Sequence, residues 1–428
     1  MTVKRYFFSA ILSSALVLSA CGTGEEIANK SVKDTPRVGE QAQPSPSVTT
    51  ATTVADLPES RSKSDRLAVS YDGGVMVIDG GNLKQEMAPE VLDTFDAKGY
   101  LRLNRAGDGR HVFVSTDSSF KALDLGAYER PHGDHSHYYA GDPSFTGFEV
   151  SAVKPGHVVG NADKAVLFDD ETGDVTTLRL QGMDMVDHFH VPAHHGIAVL
   201  GEDGTYMVTI ADQEGDRIGV AQVDAEGKEL KRFEHCPGAH GAAETSAGVF
   251  VGCADGGLVY RDGEVTKVKS PDPYGRIGNQ ASRPDSKYVL GDYKSDKVAA
   301  DKDELERPTQ VSIIDAESGE MQLVDLGASY TFRSLAMTDD NTAVVLGTDG
   351  KVHLIDAEKA EVIRSIDVLA PWEESEEWQD PRPAITVIGS TAYVTDPARN
   401  EIHAIDLDGN EKPQVTKLPE QPDELEAA

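Results

Sequence analysis

Short apolar runs alternate with polar turns from about residue 66 to residue 418, and the turns are rich in Gly, Asp and Asn. Examples are HVFVSTDSSFKALDLG (111–126) and TAVVLGTDGKVHLIDAEKAEVIRSI (342–366). Short runs rich in β-branched residues and bounded by such turns predict antiparallel strands. No long amphipathic helix is visible in this region. The pattern therefore predicts an all-β protein.

The apolar runs group into repeating units. Each unit spans roughly 35 to 50 residues, which is the length of a four-stranded β-propeller blade. The units begin near residues 66, 100, 146, 183, 234, 275, 330 and 381. The count of eight units favours eight blades, and seven is kept as the alternative because the first unit lacks a clear innermost strand. A stack of β-sandwiches is the competing architecture, but the regular period favours a β-propeller over residues 64–418.

The first 20 residues have the layout of a bacterial lipoprotein signal peptide. Two basic residues, Lys4 and Arg5, precede the apolar segment 7–20, and the sequence LSAC follows the pattern of a lipobox. We expect cleavage before Cys21 and attachment of a lipid to its thiol. The alternative is a simple secretory peptide with an incidental cysteine. The prediction is an extracytoplasmic protein that is lipid-anchored to the cell membrane.

The two ends of the mature chain differ in composition from the repeats. Residues 21–63 are rich in Ser, Thr, Pro and Ala and have no apolar periodicity, so we predict a flexible tether. Residues 419–428 are predicted to form an acidic tail.

The net charge of −33 limits the choice of partners. Such a chain offers little to neutralise phosphates, which argues against nucleic acid. It also disfavours adsorption to anionic lipid, so we expect membrane contact through the lipid anchor only.

A first concentration of histidines occupies PHGDHSHYYA (131–140), which holds His132, Asp134, His135 and His137. A turn at Gly133 would let this H-x-x-H-x-H spacing wrap one divalent ion. Zinc is favoured over calcium or magnesium, because imidazole is a poor ligand for hard cations. The alternative is an ordinary polar surface loop.

A second concentration occupies DHFHVPAHHG (187–196), which holds His188, His190, His194 and His195. His188 lies eight residues before Gly196, and His240 lies eight residues before Gly248; each glycine precedes a predicted second strand. We therefore predict that His188 and His240 occupy equivalent positions on the innermost strands of adjacent blades, facing the channel. His190 shares a strand face with His188. His157 is predicted to begin the second strand of the third unit, near the same end of the channel.

These channel histidines predict a zinc site, since imidazole nitrogen is a favourable zinc ligand. The alternative is a set of individually hydrogen-bonded residues along a wet channel. Two cysteines remain beside the lipidated one, and Cys236 and Cys253 are expected to form a disulfide in an oxidising compartment. A zinc–thiolate pair is the alternative.

The order of the motifs HGDH, KPGHVV, PAHHGIAV and CPGAHG, with the second cysteine in VGCADG, resembles the AztD family over about residues 66–410. The resemblance implies a β-propeller zinc chaperone outside the cytoplasm. It also implies Zn²⁺ as the metal, and work beside a zinc ABC transporter and its solute-binding protein. The lipobox differs from family members that are soluble in a periplasm, and it suggests a tethered version.

The resemblance also implies specific site residues. Its motifs fall on His132, Asp134, His135, His157, His194, His195 and His240, with His137 as a further donor and Cys236 and Cys253 as the cysteine pair. The family pattern places an acidic residue directly after the HG of the fourth motif. Here the sequence is HGAAE, so Glu244, the candidate carboxylate ligand, is displaced by two residues.

Together these features predict a monomeric metallochaperone, not an enzyme, that captures Zn²⁺ and passes it to the solute-binding protein. We expect binding to weaken below about pH 6 as imidazoles become charged. Two alternatives belong to other classes. One is a propeller enzyme, such as a lactonase or a metal-dependent hydrolase, although no nucleophile elbow is visible. The other is an interaction scaffold that needs no metal.

Overall fold

The computed structural model describes residues 46–49, 56–161, 163–409 and 411–428. The predicted signal peptide and Cys21 lie outside the described residues. Within them, no helix is both long enough and apolar enough to span a membrane. Two short strands come first, β1 (Val48–Thr49) and β2 (Glu59–Ser60).

The strands of the first half of the chain follow in order. They are β3 (Arg66–Tyr71), β4 (Gly74–Asp79), β5 (Glu90–Asp96), β6 (Arg102–Arg105), β7 (His111–Ser115), β8 (Ser119–Asp124), β9 (Ala127–His132), β10 (His135–Ala140), β11 (Ser144–Ser151), β12 (Pro155–Asn161), β13 (Lys164–Asp169), β14 (Asp174–Arg179), β15 (Asp184–His190), β16 (Ala198–Leu200), β17 (Tyr206–Ala211), β18 (Arg217–Val223) and β19 (Glu229–Phe233). A 3-10 turn, Leu83–Gln85, lies between β4 and β5.

The second half continues the same pattern. Its strands are β20 (His240–Thr245), β21 (Gly248–Cys253), β22 (Asp255–Arg261), β23 (Glu264–Lys269), β24 (Gly275–Arg276), β25 (Gln280–Ala281), β26 (Tyr288–Asp292), β27 (Gln310–Asp315), β28 (Glu320–Asp325), β29 (Leu335–Met337), β30 (Thr342–Leu346), β31 (Lys351–Asp356), β32 (Glu361–Asp367), β33 (Ile385–Ile388), β34 (Thr391–Asp396), β35 (Glu401–Asp406), β36 (Gln414–Lys417) and β37 (Leu425–Ala427). One short helix, α1 (Lys297–Asp301), separates β26 from β27.

These strands form a ring of antiparallel sheets. The described residues contain eight sheets with a four-stranded antiparallel core. In seven of these sheets the four strands run from the inside outward in chain order. Their innermost strands are β6, β12, β16, β20, β25, β29 and β33. Innermost strands of neighbouring sheets contact one another, as β6 does with β12 and β12 with β16. The predicted propeller is confirmed, and the eight sheets favour the eight-bladed alternative over the seven-bladed one.

The ring is closed by the end of the chain. Strand β37 pairs with β3 and so supplies the innermost strand that the first unit lacks, with Leu67 opposite Ala427 and Val69 opposite Leu425. The prediction of a separate acidic tail over 419–428 is therefore wrong for these residues. Its apolar residues Leu425 and Ala427 are buried against the first sheet.

The core lies between neighbouring sheets. One cluster joins Val166 and Phe168 of the third sheet to Tyr206 and Val208 of the fourth. Alternate residues of each central strand face opposite neighbours, so strands such as β7 and β13 are apolar and buried on both faces. This two-sided burial explains why the middle strands of each unit read as continuous apolar runs rather than as alternating ones.

Two unit boundaries differ from the prediction. The third sheet runs from β12 to β15, and the fourth begins only at β16, whereas the sequence suggested starts near residues 146 and 183. Segment 184–190 is therefore the outermost strand of the third sheet rather than the innermost strand of the fourth. Its polar sequence is typical of an exposed edge strand, and such a sequence resembles that of a strand that lines a water-filled channel.

The predicted tether also needs correction where it is described. Strand β1 adds to the outer edge of the second sheet through β11, and β2 pairs with β10. Residues 48–49 and 59–60 are thus parts of sheets. Residues 21–45 and 50–55 of the predicted tether lie outside the described residues.

Candidate metal centre

Three histidines from successive parts of the ring meet at the channel. His157 lies on β12, His195 lies just before β16, and His240 begins β20. Each offers a ring nitrogen, and these ligand atoms all lie within 4.8 Å of one another. We call these three residues the channel cluster. The third, fourth and fifth sheets therefore contribute one histidine each.

Hydrogen bonds fix the orientation of all three imidazoles. The Nδ1 atom of His157 lies 3.0 Å from the carbonyl oxygen of Gly196, and that of His240 lies 2.6 Å from the carbonyl oxygen of Gly278. The Nδ1 atom of His195 lies 2.5 Å from a carboxylate oxygen of Asp170. Since carbonyl and carboxylate oxygens only accept, each Nδ1 carries a proton, and in the neutral form of each ring Nε2 keeps its lone pair. Three Nε2 donors are thus left for a metal ion.

The spacing of these donors matches a tetrahedral zinc site. The Nε2 atoms of His195 and His240 are 3.2 Å apart. Zinc–nitrogen bonds of about 2.0–2.1 Å at a tetrahedral angle place two ligand nitrogens roughly 3.4 Å apart. Two lone pairs facing each other at this distance repel unless a cation lies between them. The pairing of His195 with a buried carboxylate is the carboxylate–histidine arrangement common around zinc.

The electrostatic environment keeps two of the ligands neutral. Burial, followed by the proximity of His240 and Arg102, holds the pKa of His157 well below its usual value. Burial is also the main reason that the pKa of His240 falls to about 3, with Arg217 acting in the same direction against a hydrogen bond to Gly278. A neutral imidazole is the form that binds zinc, so no proton has to be displaced from these two residues near neutral pH.

Two residues predicted to be ligands lie apart from this cluster. His194 is buried, with Nδ1 2.7 Å from the Pro192 carbonyl oxygen and Nε2 2.9 Å from the Thr209 hydroxyl, so both nitrogens are engaged. Glu244 lies on β20 four residues beyond His240, which is roughly 13 Å along a strand. Burial raises the pKa of its carboxyl group. The structure therefore brings neither side chain to the channel cluster.

The predicted channel position of His188 is wrong. His188 and His190 lie on β15, at the outer edge of the third sheet, where they meet Asp174 of β14. These three residues, called the outer cluster, also place one ligand atom each within 4.8 Å of the others. Counting back from Gly196 fails because the strand that follows it, β16, is the innermost strand of the fourth sheet, whereas Gly248 begins β21, the second strand of the fifth.

The histidine motif of segment 131–140 forms a β-hairpin between the third and outer strands of the second sheet. Strands β9 and β10 pair with His132 opposite His135, and Gly133 and Asp134 form the turn. Gly133 has a φ of +63°, a left-handed conformation that favours glycine. The hairpin lies in the chain between β8, the third strand, and β11, the outer strand.

The hairpin brings its three histidines together at the surface. His132, His135 and His137, called the hairpin cluster, have ring centroids 5.1–5.6 Å apart. Asp134 lies 3.2 Å from Nδ1 of His135 but is fully exposed. Glu59 of β2 lies 2.8 Å from Nδ1 of His137. The site is far more open than the channel cluster.

A fourth group combines Asp396, Glu401 and His403 of the eighth sheet. Its carboxylates already have cationic partners: Arg399 lies 2.7 Å from Asp396, and Lys417 lies 2.9 Å from Glu401. We interpret this group as a structural ion-pair network.

The predicted disulfide joins Cys236 to Cys253. This overturns the zinc–thiolate alternative, because disulfide sulfurs are no longer thiolates. Cys253 ends β21, whose Gly252 is paired with His240. The bond therefore ties the segment that leads into His240 to the neighbouring strand.

Three carboxylates at these sites escape prediction from the sequence. Asp170 and Asp174 lie in and after a turn of the type that punctuates strands throughout the chain, so their residue type carries no signal. Glu59 lies 78 positions from His137. Asp174 could have been suggested only by knowing that segment 184–190 pairs with β14.

Known proteins resemble this chain in sequence and in fold. No family model matches the chain. The zinc chaperone AztD of Citrobacter koseri is 27% identical over 357 residues, covering 80% of this chain and 82% of that protein. The crystal structure of Citrobacter koseri AztD superposes with a TM-score of 0.74 at 25% identity, over 86% of this chain and 98% of that one. The structure of apo AztD from the same organism gives a TM-score of 0.73 at 24% identity, with the same shares covered. These comparisons confirm the resemblance to AztD that the order of the histidine and cysteine motifs predicts.

Proposed function

We propose that the protein is an extracytoplasmic zinc metallochaperone that binds Zn²⁺ at the channel cluster and passes it to the solute-binding protein of a zinc ABC transporter. The observation that carries this proposal is the shared direction of three imidazoles whose Nδ1 atoms are held by Gly196, Asp170 and Gly278. The similarity to a zinc chaperone over four fifths of the chain supports the same function.

Three protein donors suit a carrier better than a permanent structural site. A closed structural site uses four protein ligands, whereas three leave one coordination position open. A ligand from a docked partner can enter that position before the first histidine leaves, so the ion need not pass through bulk water. The side chain of His195 is 39% exposed, so a docked partner can reach it.

Nearby arginines favour release. Arg102 beside His157 and Arg217 beside His240 lower the pKa of these histidines because they disfavour positive charge there. The same repulsion acts on a bound divalent cation. The cluster therefore combines good zinc ligands with an electrostatic setting that limits how tightly the ion is held.

The hairpin cluster serves as a collecting site in this proposal. Its exposed imidazoles reach solvent directly, and the acidic chain attracts cations. The lipid on Cys21 would keep the propeller near the membrane in which a transporter resides. The protein acts as a monomeric carrier and not as an enzyme.

Zinc transfer between purified proteins tests the function. The zinc-loaded protein is mixed with a metal-free zinc solute-binding protein in the presence of a chelator that captures free ions, and the metal content of each is measured after separation. Transfer that outpaces capture by the chelator is expected. Absence of bound zinc at micromolar concentration, or transfer no faster than release to the chelator, contradicts the proposal.

A further inference from the structure

The outer cluster directs two imidazoles at one carboxylate oxygen. The Oδ1 atom of Asp174 lies 3.0 Å from Nε2 of His188 and 2.5 Å from Nδ1 of His190. Its Oδ2 atom accepts a hydrogen bond of 2.9 Å from the Thr172 hydroxyl. The three ligand atoms lie within 4.8 Å of one another, and Thr172 holds the carboxylate in place.

Paired strands hold this geometry. Asp174 of β14 stands directly opposite His190 of β15, and Thr176 stands opposite His188. His188 and His190 are two positions apart, so their side chains leave the same face of the strand. Ligands that project from a hydrogen-bonded sheet are held more rigidly than ligands on a loop. The cluster thus needs little rearrangement to accept an ion.

The charge balance favours a cation. The side chain of Asp174 is only 12% exposed, and in the described part of the chain its recorded ion pairs are with His188 and His190 alone. A carboxylate that is nearly buried is unfavourable without a positive charge beside it, and a bound cation supplies one. The eighth-sheet group of Asp396, Glu401 and His403 differs, because Arg399 and Lys417 compensate its carboxylates.

We propose that Asp174, His188 and His190 form a further binding site for a divalent transition-metal ion, with Zn²⁺ as the ion bound. Two imidazoles and one carboxylate are a donor set that zinc accepts in proteins. His190, at 38% exposure, leaves the site open to solvent on one side. An ion can therefore enter without opening the sheet.

This site is separate from the channel cluster. Strand β15 lies three strand spacings from β12, which carries His157, and that is roughly 14 Å. One ion cannot contact both. The two sites are nevertheless linked at the same end of the third sheet. Residues 170–174 connect Asp170, which is hydrogen-bonded to His195, with Asp174. Residues 190–195 connect His190 with His195.

The inference goes beyond the proposed function, because the outer cluster would bind zinc whether or not the channel cluster passes its ion to a partner. Equilibrium dialysis of the full-length protein against Zn²⁺, followed by metal analysis, gives the number of bound ions. We expect H188A/H190A to bind one ion fewer than the unchanged protein. The isosteric variant D174N should weaken the same ion by at least about tenfold.

His235 provides a matched control, because it is an exposed histidine outside all four groups. H235A should bind as many ions as the unchanged protein. A reciprocal variant replaces the six histidines of the channel and hairpin clusters by alanine, and it should keep one ion with two imidazole ligands in its X-ray absorption spectrum. Circular dichroism checks that each variant folds.

The outcomes separate this inference from the proposed function. If H188A/H190A and D174N both bind zinc as the unchanged protein does, the outer site is excluded while the channel cluster is unaffected. If the reciprocal variant keeps its ion but the unchanged protein passes no zinc to a partner, the outer site stands and the chaperone function falls.

Discussion

The Nε2 atoms of His195 and His240 lie 3.2 Å apart, although the two residues are separated by 45 positions and belong to different sheets. His195 precedes the innermost strand of the fourth sheet, and His240 begins that of the fifth. Closure of the propeller brings the two histidines together. Hydrogen bonds to Asp170 and Gly278 orient the rings so that the Nε2 atoms face each other.

Removal of either histidine should abolish tight zinc binding at the channel. We expect H195A and H240A each to weaken zinc at this site by at least about 100-fold, because loss of a direct ligand exceeds the 10–100-fold effect of losing an outer hydrogen bond. Competition with a chromophoric chelator measures the change.

The adjacent His194 is the natural control for H195A. Both of its nitrogens bond to protein atoms, so H194A should destabilise the fold and leave zinc affinity within a few-fold of the original value. A loss in H194A equal to that in H195A would contradict the assignment of ligands.

Asp170 should act through His195. Replacement by asparagine keeps the size of the side chain but removes the charge that fixes the Nδ1 proton of His195. We expect D170N to weaken channel zinc about 10–100-fold without changing the number of ions bound. The same titration, combined with metal analysis, separates this effect from loss of a ligand. An affinity equal to that of the unchanged protein would show that Asp170 does not support the site.

Zinc at the channel cluster should resist acidification. Because the pKa of His240 is about 3, this residue stays neutral at pH 5, and burial holds the pKa of His157 well below its usual value. The sequence-based expectation of weakening below about pH 6 therefore does not apply to these two ligands. Dialysis at pH 7 and pH 5 tests this with H132A/H135A/H137A/H188A/H190A, which leaves the hairpin and outer clusters out of the measurement. A sharp loss of channel zinc between these values would contradict the expectation.

The metal-free protein should lose stability over the same acidic range. Between the ordinary histidine pKa of 6.5 and about 3, the unfolded chain binds a proton at position 240 and the folded chain does not. The free energy of unfolding is therefore unaffected above pH 6.5 and falls as pH decreases towards 3, by up to about 1.4 kcal/mol per pH unit for this residue. Urea unfolding in the presence of EDTA measures the slope, and H240A should reduce it.

Reduction of the disulfide should loosen both the fold and the site. Cys236 and Cys253 are 17 positions apart, and a cross-link of that loop length contributes about 3 kcal/mol to the free energy of unfolding. Because it also anchors the segment before His240, C236S/C253S should bind channel zinc more weakly while the hairpin cluster is unchanged. Urea unfolding and zinc titration measure the two effects; equal stability with and without the bond would refute this.

The repeating pattern of apolar runs and polar turns was enough to predict the propeller. Each unit has to bury both faces of its middle strands, so apolar runs such as β7 and β13 recur at regular intervals along the sequence. The hairpin cluster was also predictable, because its ligands are close in the chain. His157, His195 and His240 were all recognised as candidates, although not as one set.

Only the tertiary structure decided which histidines share an ion. His188 and His195 lie in one short motif, yet the first faces the outer edge of a sheet and the second faces the channel, since the chain crosses the sheet between them. The sequence likewise offered no sign that β37 closes the first sheet, that Glu59 reaches His137, or that Asp170 and Asp174 support two different sites. Each of these contacts joins residues brought together by ring closure or strand pairing, and the spacing along a chain does not record such distances.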